Sequence, residues 1–157
     1  MCRFGILCKI CDHYNPYEQI IRLLTNYFLQ SNMRVAILSS GGKDSAAAWW
    51  WAICKGWDVT ALITMRVTSG DSMMFQVPGT DIVEHQAKLA KVNWIPINTE
   101  GVEDLEIYDL EQELARINID ALVCGALRSD YQKSRLERMC SRIGIISYTP
   151  LWHQSAL

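Results

Sequence analysis

Short, purely apolar runs recur along this chain and are separated by longer amphipathic segments. The first run, Val35–Leu38, contains no polar residue. Such a run is typical of a strand that is buried on both faces of a parallel sheet. Similar runs follow at intervals long enough to hold a helix between them. The pattern predicts five strands, over residues 34–39, 58–65, 93–98, 119–124 and 145–149.

The segments between these runs have helical character, and most are bounded by capping residues or by glycine. Helices are predicted over residues 46–55, 81–90, 105–117 and 130–143, with Thr80 or Asp81 capping the second and Ser129 or Asp130 the fourth. Strands that alternate with helices indicate an α/β fold. We therefore predict a doubly wound, mainly parallel sheet with helices on both faces.

The first 33 residues precede this alternation, so we assign residues 1–33 to an N-terminal extension and residues 34–157 to the domain. Apolar residues at helical spacing, with Asn15-Pro16 as a start signal, predict a helix over 16–29 that packs on the sheet or on a partner. These apolar residues are Ile20, Ile21, Leu24, Tyr27 and Phe28.

Three consecutive tryptophans, Trp49, Trp50 and Trp51, lie in the first predicted helix of the domain. Neighbouring residues on a helix point about 100° apart, so the three rings cannot all face one core. We expect at least one of them to meet solvent, another segment or a partner subunit. A homodimer is one such arrangement.

A glycine-rich loop, Ser40–Ser45, joins the first predicted strand to this helix. Two adjacent glycines let the backbone turn sharply and approach a ligand closely. The helix that follows directs its free N–H groups and the positive end of its dipole at the loop, which suits phosphate. Lys43 adds a positive charge, Asp44 is a candidate ligand for phosphate-bound Mg²⁺, and Ser45 is expected to cap the helix. The alternative is a glycine turn that only starts a helix.

Two further segments follow predicted strands at the same edge of the sheet. Residues 125–135, after the fourth strand, contain several basic side chains, and the doubly wound order places them beside the glycine loop. The segment Met73–Gly79, after the second strand, is largely apolar. It fits a ligand contact and a hydrophobic plug equally well.

Composition narrows the class of protein. The chain has 157 residues, half of them hydrophobic, which suits one domain with a sizeable core. A formal net charge of −2 does not favour nucleic acid as a partner. No apolar run is long enough to span a membrane, and the N-terminus is a poor secretory signal. We therefore expect a cytoplasmic protein whose six cysteines are thiols rather than disulfides.

The N-terminal cysteines raise the question of zinc. Cys8 and Cys11, with His13 and Cys2 nearby, are potential ligands. A lone C-x-x-C pair is a weak signal, and no second pair follows at a matching spacing. We favour incidental thiols, with zinc as the alternative.

Several motifs together place the chain beside a known family. The glycine loop resembles the SGGxDS loop of the ATP pyrophosphatases, which cleave ATP between the α- and β-phosphates, and it does not fit the Walker A spacing. Three further stretches make the chain resemble one branch of them, the diphthine–ammonia ligases: Met74-Phe75-Gln76-x-Pro78, Gly125-Ala126-x-x-Ser129-x-Tyr131-Gln132-Lys133-x-Arg135, and Pro150-Leu151-Trp152. The resemblance implies a Rossmann-like adenine nucleotide alpha hydrolase fold.

The resemblance also implies a reaction, the last step in making diphthamide on translation elongation factor 2. The diphthine carboxylate attacks the α-phosphorus of ATP, pyrophosphate leaves, and ammonia then displaces AMP from the acyl-adenylate. ATP, Mg²⁺ and ammonium are the implied small molecules, and elongation factor 2 is the implied protein substrate.

By the same resemblance, residues of this chain take three roles. Lys43 and Asp44 would act in catalysis, with Asp44 holding Mg²⁺ through the phosphates. The nucleotide would contact Ser39, Ser40, Gly41, Gly42, Lys43, Asp44, Ser45, Ile63, Thr64, Met65 and Gly125. The substrate side would comprise Met74, Phe75, Gln76, Ser129, Tyr131, Gln132, Arg135 and Trp152.

The chain departs from the ligase pattern in two ways. Residues 1–33 are not part of that pattern. Ligases of this family usually continue well beyond the position of Trp152, and we expect this chain to lack that C-terminal region. Two alternatives therefore stay open. One is a tRNA-thiolating ATP pyrophosphatase. Some of these enzymes carry an N-terminal zinc-binding cysteine cluster, which Cys8 and Cys11 fit loosely, and they use a reactive cysteine pair near the cleft, for which Cys124 is the only good candidate. The other is a protein that binds adenine nucleotide without catalysis.

Overall fold

The computed structural model describes residues 33–68, 72, 74–75 and 79–154, together with helical backbone at residues 17, 19–21 and 24. The domain contains five strands and four helices within these residues. They are, in chain order, β1 (Arg34–Leu38), α1 (Lys43–Cys54), β2 (Asp58–Val67), α2 (Ile82–Ala90), β3 (Asn93–Thr99), α3 (Glu103–Leu114), β4 (Ala121–Cys124), α4 (Asp130–Arg142) and β5 (Ile146–Tyr148).

The ends of two helices differ most from the predictions. Helix α1 begins at Lys43, three residues before the predicted start, because Gly42 rather than Ser45 is its N-cap. Helix α3 begins and ends earlier than predicted. In α2, Asp81 is the N-cap, but its side chain does not cap the helix. Its carboxylate instead binds Arg66 at 2.5 Å.

The five strands form one sheet in the order β3-β2-β1-β4-β5, and every pair of neighbours is parallel. This confirms the predicted α/β class. From β1, the chain builds the sheet outward in one direction through β2 and β3, and then returns to the other side of β1 with β4 and β5. The direction of strand addition therefore reverses between β1 and β4. Ligands of open α/β sheets bind at the carboxyl ends of the strands at such a point.

Alternate residues along the strands point to opposite faces of the sheet and pack in two separate hydrophobic cores. Val35 and Ile37 pack with the alanines of α1 and with α2 on one face. Ala36 and Leu38 pack with α3 and α4 on the other face. Burial on both faces is why the central strands are apolar at every position.

The amino ends of the central strands are tied together by polar contacts. The backbone N–H and the guanidinium of Arg34 both donate to the Asp120 carboxylate, at 2.8 and 3.2 Å. The Asp120 N–H donates in return to the Arg34 carbonyl at 2.8 Å. On the other side of β1, the Asp58 N–H donates to the Met33 carbonyl at 2.9 Å.

The three tryptophans of α1 separate as predicted. Trp51 packs edge-on against Trp57, with 5.1 Å between ring centroids, and also contacts Tyr148. Trp49 is half-buried against the core below α1, whereas Trp50 is exposed.

Helix α3 buries one carboxylate completely. Glu106 has no solvent-accessible surface, and neither of its side-chain oxygens accepts a hydrogen bond within the described part of the chain. An unpaired buried carboxylate is unfavourable for folding. Over these same residues, no helix combines the length and apolar character needed to cross a membrane.

Candidate active site

The glycine loop lies at the carboxyl end of β1, where the chain turns into α1. The Ser39 N–H donates to the Ile63 carbonyl of β2 at 2.8 Å, which fixes the start of the loop at the edge of the sheet. Gly41 has φ +80°, a conformation that residues with a Cβ rarely adopt. Gly42 then caps α1 with extended backbone. The first-turn N–H groups of α1 therefore face the loop.

Two serine hydroxyls form hydrogen bonds with backbone groups of this turn. Ser45 Oγ donates to the Gly42 carbonyl at 2.9 Å, and Ser39 Oγ accepts from the Gly41 N–H at 3.2 Å. The prediction that Ser45 caps α1 is therefore wrong, because Ser45 lies within the first turn. Both serines shape the loop through these contacts.

Lys43 and Asp44 lie side by side in the first turn of α1. Lys43 Nζ binds Asp44 Oδ1 at 2.6 Å, and the lysine side chain is otherwise exposed. No cluster of three or more potential metal ligands occurs among the described residues. Mg²⁺ in nucleotide sites needs only one or two carboxylates, because phosphates and waters complete its shell. Asp44 therefore fits a Mg²⁺ ion that a bound triphosphate would help to hold.

Gly125 brings the end of β4 against the start of α1. A Cβ on Gly125 would lie 2.6 Å from the carbonyl carbon and oxygen of Asp44 and 2.8 Å from the backbone nitrogen of Ser45. Real side chains do not approach backbone this closely. Only glycine permits this contact between two loops that are far apart in the sequence.

These loops enclose a cavity of about 180 Å³ at the carboxyl edge of the sheet. The first side is formed by Leu38, Ser39, Ser40, Asp44 and Ser45. The second is formed by Met65, Met74 and Phe75. The third is formed by Cys124, Gly125, Ala126, Gln132 and Leu136. Hydroxyl and carboxylate side chains thus lie mainly on the first side, and mostly apolar side chains, with Gln132 among them, lie on the other two.

The segment after β2 is fastened to α4. Gln132 Nε2 donates to the Met74 carbonyl at 2.6 Å. The Ser72 hydroxyl accepts from the N–H groups of Met74 and Phe75, at 3.0 and 2.9 Å. Met74 is also part of the core, so this segment is at once a plug and a wall of the cavity.

Four residues predicted for the substrate side are not among the described residues that line the cavity. Ser129 accepts from the Gln132 N–H at 3.2 Å and so caps α4. The Arg135 guanidinium lies 4.6 Å from the centre of the Tyr131 ring and binds Asp104 at 3.0 Å. Lys133 Nζ lies over the Trp152 ring, 5.4 Å from the centre of that ring. This group borders α4 outside the cavity.

The predicted adenosine contacts divide between the two faces of β2. Met65 lines the cavity, while Ile63 is buried in the same core. Thr64 points to the opposite face, as alternation along a strand requires, and its hydroxyl accepts from Trp94 Nε1 at 3.0 Å. The side chains of Ile63 and Thr64 are therefore not part of the described lining.

Sequence reasoning missed three apolar residues of the lining, which are Leu38, Ala126 and Leu136. Leu136 follows Gln132 by one helical turn, so the spacing on α4 was a usable signal. Gly41, Gly42 and Lys43 belong to the glycine loop but are not among the described residues that line the cavity. Gln76, Cys8 and Cys11 lie outside the described residues.

The thiol in the cavity wall is poorly suited to nucleophilic chemistry. Burial raises the pKa of Cys124 to about 11, despite a hydrogen bond from Ala126 that acts in the other direction. Burial likewise raises the pKa of the nearby Cys140 to about 12. Because the thiolate is the nucleophile, both groups are protonated and unreactive near neutral pH.

Comparison with known proteins identifies relatives of this chain. The family model for the diphthamide synthase N-terminal domain matches residues 33–147. The chain is 28% identical to a Saccharomyces cerevisiae protein named diphthine–ammonia ligase, over 78% of this chain and 21% of that protein. It is 30% identical to the Schizosaccharomyces pombe protein of that name, over 78% and 23%. It is 27% identical to the human one, over 78% and 54%.

The chain thus spans about a fifth of the length of the two yeast relatives and about half of the human one. The family match covers the whole sheet apart from the last residue of β5, including both loops that Gly125 brings together. The chain therefore belongs to the diphthamide synthase N-terminal domain family.

Proposed function

We propose that this chain binds ATP with Mg²⁺ and uses it to amidate the diphthine carboxylate of translation elongation factor 2. Ammonium supplies the nitrogen, and AMP and pyrophosphate are released in the cytoplasm. One observation carries the proposal. Gly125, at the end of β4, packs against the backbone of the SGGKDS loop at Asp44 and Ser45, and all three residues line the same cavity. The names of the relatives support the reaction class.

The charges of the loop suit the departure of pyrophosphate. As the bond between the α-phosphorus and the bridging oxygen breaks, negative charge collects on the leaving group. The N–H groups at the start of α1 and the Lys43 ammonium would stabilise that charge. Lys43 now binds Asp44, so a triphosphate would draw the ammonium away and release the carboxylate for Mg²⁺. Bound Mg²⁺ would act as a Lewis acid on phosphate oxygens.

The bond changes need no protein nucleophile. A carboxylate oxygen of diphthine bonds to the α-phosphorus, and pyrophosphate leaves with the electron pair of the broken P–O bond. Ammonium first loses a proton to the solvent, and the resulting ammonia bonds through its nitrogen to the acyl carbon. The bond from that carbon to the AMP oxygen then breaks, AMP leaves with the electron pair, and the nitrogen loses a second proton as the amide forms. Water would hydrolyse the acyl-adenylate between these steps. The apolar walls formed by Met74, Phe75 and Leu136 would help to exclude it.

The alternative of a tRNA-thiolating enzyme is less well supported. That chemistry would need a reactive cysteine near the cavity, and the raised pKa of Cys124 opposes this role. The net charge of −2 also disfavours a nucleic-acid substrate.

The experiment is to measure pyrophosphate release from ATP and Mg²⁺ with diphthine-bearing elongation factor 2 and ammonium. We expect release that needs both substrates and falls by about 10²–10³-fold in Asp44→Ala, which is typical for loss of one group that stabilises the transition state. Asp58→Ala is the matched control, because Asp58 is an exposed carboxylate at the opposite edge of the sheet. That variant should release pyrophosphate at the wild-type rate.

Other outcomes would change the conclusion. Measurable ATP binding without pyrophosphate release would indicate a nucleotide-binding protein that is not a ligase. Release that is unaffected in Asp44→Ala would remove this carboxylate from the mechanism.

A further inference from the structure

The described residues of the N-terminal extension carry an exposed apolar stripe. Tyr17, Ile20, Ile21 and Leu24 lie on helical backbone at positions i, i+3, i+4 and i+7. These side chains are 73%, 51%, 61% and 54% exposed. Residues at this spacing share one face of a helix, and such a face is normally packed against another apolar surface.

A second exposed stripe runs along the outer side of α1. Trp50 and Ile53 lie one turn apart and are 66% and 46% exposed. Ala46, Ala47 and Cys54 are the other exposed residues of this part of the helix, and no charged residue occurs from Ser45 to Cys54. The solvent-facing side of a surface helix normally carries charged and polar residues. The composition of α1 therefore indicates that its outer face is covered in the assembled protein.

The two stripes match in size and shape. The large side chains on one helix can pack beside Trp50 and over the small alanines of the other, as ridges fit into grooves. Covering both stripes would remove from water six large side chains of each chain, which are between 46% and 73% exposed. Stable interfaces typically bury about 1,600 Å² in total, and large apolar side chains of this kind supply much of the binding energy.

The path of the chain keeps the two stripes close. Met33 is bonded to Asp58, directly after the end of α1, so the extension enters the domain beside the stripe of α1. Eight residues separate Leu24 from Met33, and a chain of this length spans at most about 30 Å. Both stripes are nevertheless exposed within one chain.

We propose that two copies of this chain form a twofold dimer by exchanging these segments. The stripe at residues 17–24 of each copy packs on the stripe of α1 formed by Trp50 and Ile53 of the other copy. A twofold exchange covers all four stripes at once and closes without leaving a free stripe. The arrangement does not depend on the proposed ligase activity.

The first test is sedimentation equilibrium of the full chain, with wild type compared to Ile20→Glu and Trp50→Glu. We expect a dimer for the wild type. Each variant should weaken dimerisation by about a thousandfold, because the lost side chain is a central contact that occurs twice in a twofold interface. Both positions are exposed, so thermal unfolding should stay cooperative and serve as the control for folding.

The second test locates the contact with the native thiol of Cys54, which is exposed on α1. In a background with Cys2, Cys8 and Cys11 replaced by serine, Ile20→Cys should give a covalent dimer under mild oxidation. Gln19→Cys is the matched control, because Gln19 is exposed on the opposite side of the same helical backbone, and it should give little or none.

Three results would overturn the proposal. The first is that the wild-type chain is a monomer at a protein concentration of tens of micromolar. The second is a dimer that persists in both glutamate variants. The third is a disulfide that joins the new thiol of Ile20→Cys to Cys54 of the same chain. The last result would mean that the extension folds back on its own α1.

Discussion

At the scale of single residues, Gly125 has the most direct influence on the cavity. Its Cα leaves no room for a Cβ against the backbone of Asp44 and Ser45. We expect Gly125→Ala to push α1 away from β4, to lower the free energy of unfolding by about 1–3 kcal/mol, and to weaken ATP binding severely. Calorimetry and equilibrium binding of ATP with Mg²⁺ measure the two effects.

Gly144→Ala separates these effects from a general glycine effect. Gly144 has φ +75°, lies just beyond the far end of α4, and has no atom within 4 Å of the place that a Cβ would take. This variant should lose about 1 kcal/mol from backbone strain and bind ATP normally. Equal loss of ATP binding in both variants would contradict the role given to the Gly125 contact.

Glu106 is a residue whose removal should improve stability. Its carboxylate is fully buried and has no hydrogen-bond partner among the described residues. Glu106→Met keeps the length of the side chain and removes the buried polar atoms, so we expect a gain of about 1–3 kcal/mol in unfolding free energy. Urea denaturation measures it. Gln112→Met, at an exposed site on the same helix, should change stability by less than about 0.5 kcal/mol.

At the scale of elements, the link between β1 and β4 depends on pH. Hydrogen bonds from the Arg34 N–H and guanidinium hold the pKa of Asp120 below its usual value of 3.8. Because the pKa is lower in the folded state, the stabilisation is fully present above the unfolded-state pKa. It is lost as the pH falls from about 4 through the folded-state pKa.

Asp120→Asn tests this link. We expect a loss of at most about 1 kcal/mol at pH 7, because the partly exposed pair is screened by solvent. The difference between the variant and the wild type should shrink as the pH falls below about 4 and disappear once the pH lies below the folded-state pKa of Asp120. Urea unfolding at a series of pH values measures it. A difference that stays constant from pH 7 to pH 2 would show that the charge of Asp120 does not contribute.

At the scale of the whole molecule, the order and type of the elements followed from the sequence, since strands buried on both faces are unambiguous over Val35–Leu38. The start of α1 was misplaced because serine is a preferred N-cap, whereas here the backbone of Gly42 takes that position. The face of Thr64 depends on strand register, which becomes visible only when β2 pairs with its neighbours.

The cavity was predictable only in part, for a related reason. The SGGKDS motif and the reversal of strand order indicated where it lies. The hydrogen bond from Gln132 to Met74 joins residues 58 positions apart, and no local pattern encodes such a contact. The positions of Ser129 and Arg135 also depend on competition among nearby partners, since Ser129 bonds its own helix and Arg135 bonds Asp104.

The central position of β1 also has a consequence for biosynthesis. Strands β1, β2 and β3 are neighbours in both sequence and space, so they can pair while the nascent chain is still on the ribosome. The other neighbour of β1 arrives much later, since Arg34 and Asp120 are 86 residues apart, and contacts this distant form slowly. During translation, the glycine loop therefore exists for a time with one side open, so the nucleotide binding that we propose would become possible only late in the folding of each new molecule.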